Sequence, residues 1–275
     1  MNPASNNGLR TIVCLKVVPR PEEVRVDAET MTLDRAGAQS FINPPDLNAL
    51  ETALKLKDAC GGEVSILSMG PPFFEPYLRL ALAVGADRAF LLSDRAFGGA
   101  DTLATTYTLA KGVEKIGAFD LVLCGEESLD GATAQVPPGL AEWLDVAQVT
   151  CALEIEKVPG KREMRVQREL KGGSETLSVD LPAVVSVKAN VNEPRFIDYD
   201  RMEWALQEAP VGVWGAGDLA TDPELTGLAG SPTTVAGVRQ VATPDRRRKH
   251  LSGSAGEIAR ALADLLRTQT GSRGG

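Results

Sequence analysis

Histidine is almost missing from this chain, with His250 alone among 275 residues. A single imidazole builds neither a histidine-based zinc or iron set nor a Ser-His-Asp triad. Cysteine is scarce as well: Cys14, Cys60, Cys124 and Cys151, with no C-x-x-C pair among them. Cys14 and Cys124 fall inside apolar runs, where a free thiol packs as a small hydrophobe; metal or redox chemistry is not indicated. No apolar run approaches the roughly 18 residues of a membrane span, and the opening MNPASNNGLR has no apolar centre for a signal peptide. These absences predict a cytoplasmic chain without stable membrane insertion. Positive charge is also short, because 29 Lys and Arg stand against 37 Asp and Glu. Binding to nucleic acid needs a basic face, so nucleic-acid partners are excluded. The short basic run Arg246-Arg247-Arg248-Lys249 reads as solvated surface.

What is present is an ordinary globular composition, 43% apolar and 24% charged, long enough to bury a core without disulfides or metal. Apolar β-branched runs at 11–18, 63–70, 88–92 and 119–124 alternate with helical spacing at 46–60, 75–84, 102–116 and 133–144. That alternation predicts an α/β fold, a mostly parallel sheet with helices on both faces. Residues 24–33 read as a small hairpin. Asp46, after Pro44-Pro45, reads as the N-cap of the first long helix. From about residue 148, four strand-like stretches separated by Pro159-Gly160 and Gly172-Gly173 predict an antiparallel extension of the sheet. Residues 208–254 are rich in Gly, Pro, Ser and Thr, and read as an extended C-terminal arm. It ends in an amphipathic helix, 256–266, with little core of its own. The expected division is therefore a nucleotide-binding α/β domain over 1–207 and an arm over 208–275.

In an open α/β sheet, ligands sit beyond the carboxyl ends of the strands, where strand order reverses. A Walker loop is absent. Gly215-Ala216-Gly217-Asp218-Leu219-Ala220 fits G-x-G-x-x-A, but the sequence shows neither a convincing strand before it nor a helix after it. The better candidate is Gly125–Val136, which leaves one strand end and runs into a helix start. Free amides and partial positive charge at a helix start suit a phosphate. Asp130-Gly131 permits a tight turn and Thr133 adds a hydroxyl; the same features also describe a plain capped turn. Ser68-Met69-Gly70 and Asn43 lie at the same expected edge. Asn43 either reads an adenine edge or caps a turn, and Gly70 either admits a ligand or simply turns the chain. No carboxylate pair, nucleophile or metal set marks hydrolytic chemistry. A redox cofactor needs none of these, since it carries its own reactivity.

Taken in order, these residues resemble the beta subunit of electron transfer flavoprotein. The stretches are Cys14–Pro19, Asn43-Pro44, Ser68–Pro71, Leu78-Arg79 with Gly85–Asp87, Gly99–Thr102 with Ala104-Thr105, and Asp120–Gly125. Asp130–Pro138, Leu181–Val185 and Asn192–Arg195 complete the set. The resemblance implies an adenine-nucleotide-binding, Rossmann-like fold and a heterodimer with an alpha subunit that holds an electron-carrying FAD. It also implies a second nucleotide in this chain, either structural AMP or, in electron-bifurcating members, a second FAD that takes a hydride from NADH. Asp130-Gly131-Ala132-Thr133-Ala134-Gln135-Val136-Pro137-Pro138 resembles the bifurcating, FAD-binding type, with Ala132 in place of a carboxylate and Pro137 in place of a glycine. The implied nucleotide site comprises Lys16, Val17, Asn43, Ser68, Met69 and Gly70. Asp101, Thr105, Gly125, Asp130 and Gly131 join it, with Thr133, Ala134, Gln135 and Val136. Lys188–Phe196 resembles the loop that recognises an acyl-CoA dehydrogenase-like or other reductase partner. Ala189 or Val191 would supply its apolar anchor, beside Asn192, Glu193, Pro194 and Arg195. The C-terminal arm would embrace the alpha subunit. The alternative outside redox chemistry is an adenine-nucleotide sensor built on the same fold.

Overall fold

The computed structural model describes residues 8–20, 25–26, 33–34, 39–236 and 250–270. The chain divides into two compact units, 1–238 and 239–275.

The first unit opens with β1 (Leu9–Cys14), β2 (Val17–Pro19), β3 (Arg25–Val26), β4 (Leu33–Asp34) and β5 (Ser40–Ile42). The β3 and β4 strands pair antiparallel, which is the hairpin the sequence suggests, and β2 pairs with β5. Then follow α1 (Pro44–Cys60), β6 (Gly62–Met69), α2 (Glu75–Val84), β7 (Arg88–Leu92), α3 (Thr102–Ile116), β8 (Leu121–Gly125) and α4 (Val136–Leu144). Next come β9 (Ala147–Lys157), β10 (Glu163–Leu170), β11 (Gly173–Asp180), β12 (Ala183–Val187), α5 (Tyr199–Gln207), β13 (Val211–Trp214) and α6 (Ala216–Leu219).

Nine of these strands form one sheet in the order β11-β10-β9-β12-β8-β1-β6-β7-β13. From β9 through β13 the neighbours run parallel, and only β9-β10-β11 pair antiparallel. The α/β fold with a mostly parallel sheet is therefore as the alternation predicts. One strand departs from expectation: β12 belongs to the parallel part, between β8 and β9. Its five residues are all buried, and only a central strand covered on both faces hides every side chain.

Alternation along each strand divides the core into two. Val13, Ile66, Leu121, Leu123 and Val185 point to the α1 and α2 side. Ile12, Leu67, Val122, Cys124 and Val184 point to the α3 and α4 side. Helix α1 meets its sheet face through Leu50 and Leu54, both essentially sealed. Fully burying a leucine contributes about 1.5–3 kcal/mol. Gly85 ends α2 at φ 149°, and a Cβ there would lie 3.1 Å from Leu54, so only glycine closes this helix against α1.

Past residue 207 the chain does not leave the sheet. Strand β13 pairs parallel with β7, Trp214 stacks on Phe90 at 4.4 Å, and Leu219 is buried. The expected arm from 208 thus begins with an edge strand and a short helix that share the core of the sheet. The G-x-G-x-x-A segment also departs from expectation, since β13 precedes it and α6 follows. Its first amides are already committed, Gly215 N to Asp218 and Ala216 N to Asp94. The second unit carries α7 (Ala255–Thr270), the amphipathic helix foreseen at 256–266, opened by Ser254 donating to Glu257. The basic run 246–249 lies outside the described residues.

Candidate functional site

The carboxyl ends of β6, β1 and β8 lie side by side. From β1 the chain crosses to β6 on one flank, while β8 and β12 occupy the other, so the winding reverses between β1 and β8. A crevice beyond the strand ends is expected at such a reversal, and most of the sequence-marked residues collect there.

Lys16, in the turn after β1, reaches across the reversal to the loop after β8. Its Nζ donates to Asp130 Oδ1 at 2.6 Å and to Ser128 Oγ at 3.2 Å. The pair is half-exposed on the lysine side, so its own contribution to stability is small, about 0–1 kcal/mol. Its consequence is positional, because an ammonium is held over the loop that carries Thr133.

Asn43 is buried, and its side-chain amide is turned to the loop after β8. Its Nδ2 donates to the Glu127 carbonyl at 2.9 Å, and its Oδ1 accepts from Leu129 N at 3.1 Å. Of the two sequence readings, turn holding is what these bonds accomplish: Asn43 fixes the first half of the 126–135 loop. Lys188, just after β12, bridges that loop at Glu126 to Glu169 of β10, and hydrogen bonds with Glu169 and Glu126 hold its ammonium well above the usual lysine range.

Asp46 departs from expectation. The N-cap is Asn43, and Asp46 sits in the first turn of α1 with only 6% of its surface exposed. Its Oδ2 accepts from Lys16 N at 2.8 Å and its Oδ1 from Gly125 N at 3.0 Å. Burial pushes its carboxyl up to about 7, against lowering by the Lys16 amide, Asn43, the Gly125 amide and the Lys16 charge.

The second half of the loop is open. Residues 131–135 are all exposed, and both Ala132 (φ 45°) and Ala134 (φ 54°) are left-handed. Such residues alternating with ordinary ones gather successive N–H groups into a concave, anion-holding surface. Gly131 has an ordinary backbone, so its glycine is not dictated by conformation. Thr133 Oγ1 accepts from Gln135 N at 3.5 Å, and Gln135 Oε1 accepts from Thr102 of α3 at 2.8 Å. Helix α4 itself offers less than expected. It starts at Val136, and Pro137 and Pro138 fill the next two positions without N–H groups. Any anion here is met by loop amides plus Val136, and not by a full helix turn.

The remaining marked residues form the walls. Val17 is buried in β2, Ser68 is sealed, and Met69 and Gly70 are half-buried at the end of β6. Ser68 Oγ is a buried hydroxyl with no hydrogen-bond partner among the described residues. Asp101 caps α3 through Leu103 N and Ala104 N, and its other oxygen accepts from Thr233 N and Oγ1. Burial pulls its carboxyl upward, but the bonds from Thr233 and the α3 amides outweigh it and hold it below the ordinary range. Asp101 therefore ties residues 231–233 to the wall, with Thr105 one turn further along α3. Asp46, Ser128 and Thr102 were not among the site residues expected from the sequence. Each is an unremarkable polar residue whose partner lies on a distant element.

Away from the crevice, residues 188–199 lie across α1. Asn192 bonds Asn48 and Thr52, and Arg195 pairs with buried Glu51 at 2.8 Å and with Asp58 at 2.8 Å. Val191 packs on the core, while Ala189, Glu193 and Pro194 are exposed. The prominent apolar group is instead Phe196, 97% exposed, with Tyr199 nearby in sequence. Phe196 borders two cavities of about 390 and 460 Å³ along α1 and α2.

The fold is Rossmann-like α/β, and the candidate residues gather at the switch point of its sheet. The electron transfer flavoprotein domain model matches residues 30–212. The electron transfer flavoprotein subunit beta of Thermoanaerobacterium thermosaccharolyticum is 40% identical over 263 residues, covering 95% of this chain and 99% of that protein. Subunit CarD of the caffeyl-CoA reductase-Etf complex of Acetobacterium woodii is 43% identical over 228 residues, covering 82% and 86%. Protein FixA of Azorhizobium caulinodans is 44% identical over 247 residues, covering 87% and 86%. The chain belongs to the electron transfer flavoprotein family and, within it, to the beta subunits. No described helix is long and apolar enough to cross a membrane.

Proposed function

We propose that this chain is the beta subunit of a two-subunit electron carrier, and that its crevice holds a second FAD rather than AMP. The observation that carries the reading is Lys16, reaching over the strand reversal to Ser128 and Asp130 beside the left-handed Ala132–Ala134 loop. The donor set fits a pyrophosphate: an ammonium, the Ser128 and Thr133 hydroxyls, and loop amides in a concave backbone. The open Gly131–Gln135 stretch leaves room beyond a single phosphate, which favours a dinucleotide. A bound flavin would supply hydride acceptance from NADH and release of electrons one at a time. The chain's own residues bind and orient: Lys16 and the loop hold the anion, Asn43 fixes the loop, and Asp101 and Thr102 brace its far wall.

The partner subunit is an alpha subunit carrying the other FAD. Leu262 and Leu266 of α7 are exposed within this chain, as expected of a helix that packs on that partner. Residues 188–199 form the docking surface for an acyl-CoA dehydrogenase-like or other reductase, with Phe196 as its apolar anchor in place of Ala189 or Val191.

The deciding experiment is acid extraction and chromatography of nucleotides from the purified heterodimer. Two FAD per heterodimer is the expected result. One FAD with one AMP would make the chain a simple shuttle, and an alpha-free chain binding AMP alone would make it a sensor.

A further inference from the structure

Where the sheet reverses its winding, neighbouring strands send their connections to opposite faces and a crevice opens beyond their ends. Lys16 N and Gly125 N lie at that point. Both donate to the one carboxylate of Asp46, at 2.8 and 3.0 Å. Asp46 arrives there because it lies in the first turn of α1, whose start is fixed by Asn43 N donating to the Lys16 carbonyl at 2.9 Å. The fit is close: a Cβ on Gly125 would lie 2.5 Å from Asp46 Oδ1 and 2.6 Å from Pro45 Cβ. One amide leads into Lys16 and the other into the 126–135 loop, the two sides of the crevice.

We propose that Asp46 is a positioning residue for the bound nucleotide, latching the two lips of the crevice together by accepting from the Lys16 and Gly125 amides at once. The proposal rests on the nucleotide reading given above. It assigns to a sealed side chain the register between Lys16 and the loop that must grip the same anion.

Both latch partners are donors and neither can accept, so the ionised carboxylate, with two full acceptor oxygens, serves both best. The groups facing it are the Lys16 ammonium from the β1–β2 turn, the Asn43 amide at the start of α1, and the Cys124 thiol of β8, beside Cys14 of β1. With a carboxyl pushed up to about 7, a falling pH turns one oxygen into a donor that faces an N–H. The latch then loosens on one side.

The test is FAD titration of the heterodimer at pH 6 and pH 8, for wild type and Asp46→Asn. The FAD pyrophosphate has no ionisation in that window, so a slope belongs to the protein. Wild type should bind FAD several-fold more weakly at pH 6. Asp46→Asn, which keeps one acceptor, should bind about tenfold more weakly at pH 8 and show no slope. Asp46→Asn with wild-type affinity and slope would overturn the proposal while leaving the nucleotide site intact. If that variant does not assemble, the wild-type profile decides, and a flat or inverted slope overturns it. A wild type that binds no FAD beyond the alpha subunit's own at either pH would sink the FAD reading and this proposal with it.

Discussion

Asp46 also has a consequence for the fold itself that does not involve a ligand. Its folded carboxyl lies near 7, above the ordinary 3.8, with burial the largest cause. A group raised in this way contributes its stability fully below pH 4 and loses it as pH rises through about 7. Wild type should therefore lose stability relative to Asp46→Asn between about pH 4 and pH 7, by a few kcal/mol at most, in urea titrations of the nucleotide-free chain. A difference that is constant across that window would refute the assignment. Ala132 and Ala134 supply a second check. A left-handed alanine costs about 1–2 kcal/mol, so glycine at either position should raise stability by up to about 1 kcal/mol, less its own chain entropy. A drop in melting temperature would show that the Cβ atoms pack. Asp130 and Thr133 stood out because a tight turn and a hydroxyl follow a strand end, whereas Lys16 entered only through the family resemblance. Asp46 did not stand out, because its local setting after two prolines reads as a cap. Its real partners lie 30 and 79 residues away.

At the scale of elements, periodicity carried the reading wherever a segment buried one face. The helices α1, α2 and α3 begin and end close to where their apolar spacing does, as do strands β6 and β7. The failures share a cause. Strand β12 looks like its antiparallel neighbours in sequence, and its parallel pairing follows only from the return of the chain to β8. Strand β13 is four residues in a Gly-rich stretch, and what makes it a strand is the free edge of β7. Helix α4 starts three residues later than expected, because Ala132 and Ala134 are left-handed and the two prolines fit only the first turn. The 188–199 segment offers a test at this scale. Arg195→Ala leaves Glu51 buried without its cation, and removing one partner of a buried pair costs about 3–5 kcal/mol. Partial exposure of the guanidinium reduces this to about 1–3 kcal/mol. The variant should also speed proteolysis or amide exchange in residues 188–199 before global unfolding; unchanged exchange would show that Asn192 alone holds the segment.

For the whole molecule, the crevice and the Phe196 surface are separate places that share α1, whose first turn carries Asp46 and whose later turns carry Asn48 and Glu51. The crevice draws on the ends of β1, β6 and β8, whereas residues 188–199 lie along α1 and α2. Under the proposed function, electron entry at the crevice and partner docking at Phe196 should therefore be separable by mutation. Phe196→Ala removes an exposed ring without touching Lys16, Asn43, Asp46 or the 126–135 loop. Aromatic residues that anchor interfaces cost 2 kcal/mol or more on truncation, about a thirtyfold loss of affinity. Reduction of the purified heterodimer by NADH should proceed at the wild-type rate in this variant. Transfer onward to the reductase partner should require about thirtyfold more partner for half-maximal rate, at an unchanged limiting rate. Ala189→Ser should leave both rates alone, since that small side chain offers little area to bury. Loss of NADH reduction in Phe196→Ala would mean that the surface along α1 communicates with the crevice. A normal partner requirement would return the anchor to Ala189 or Val191.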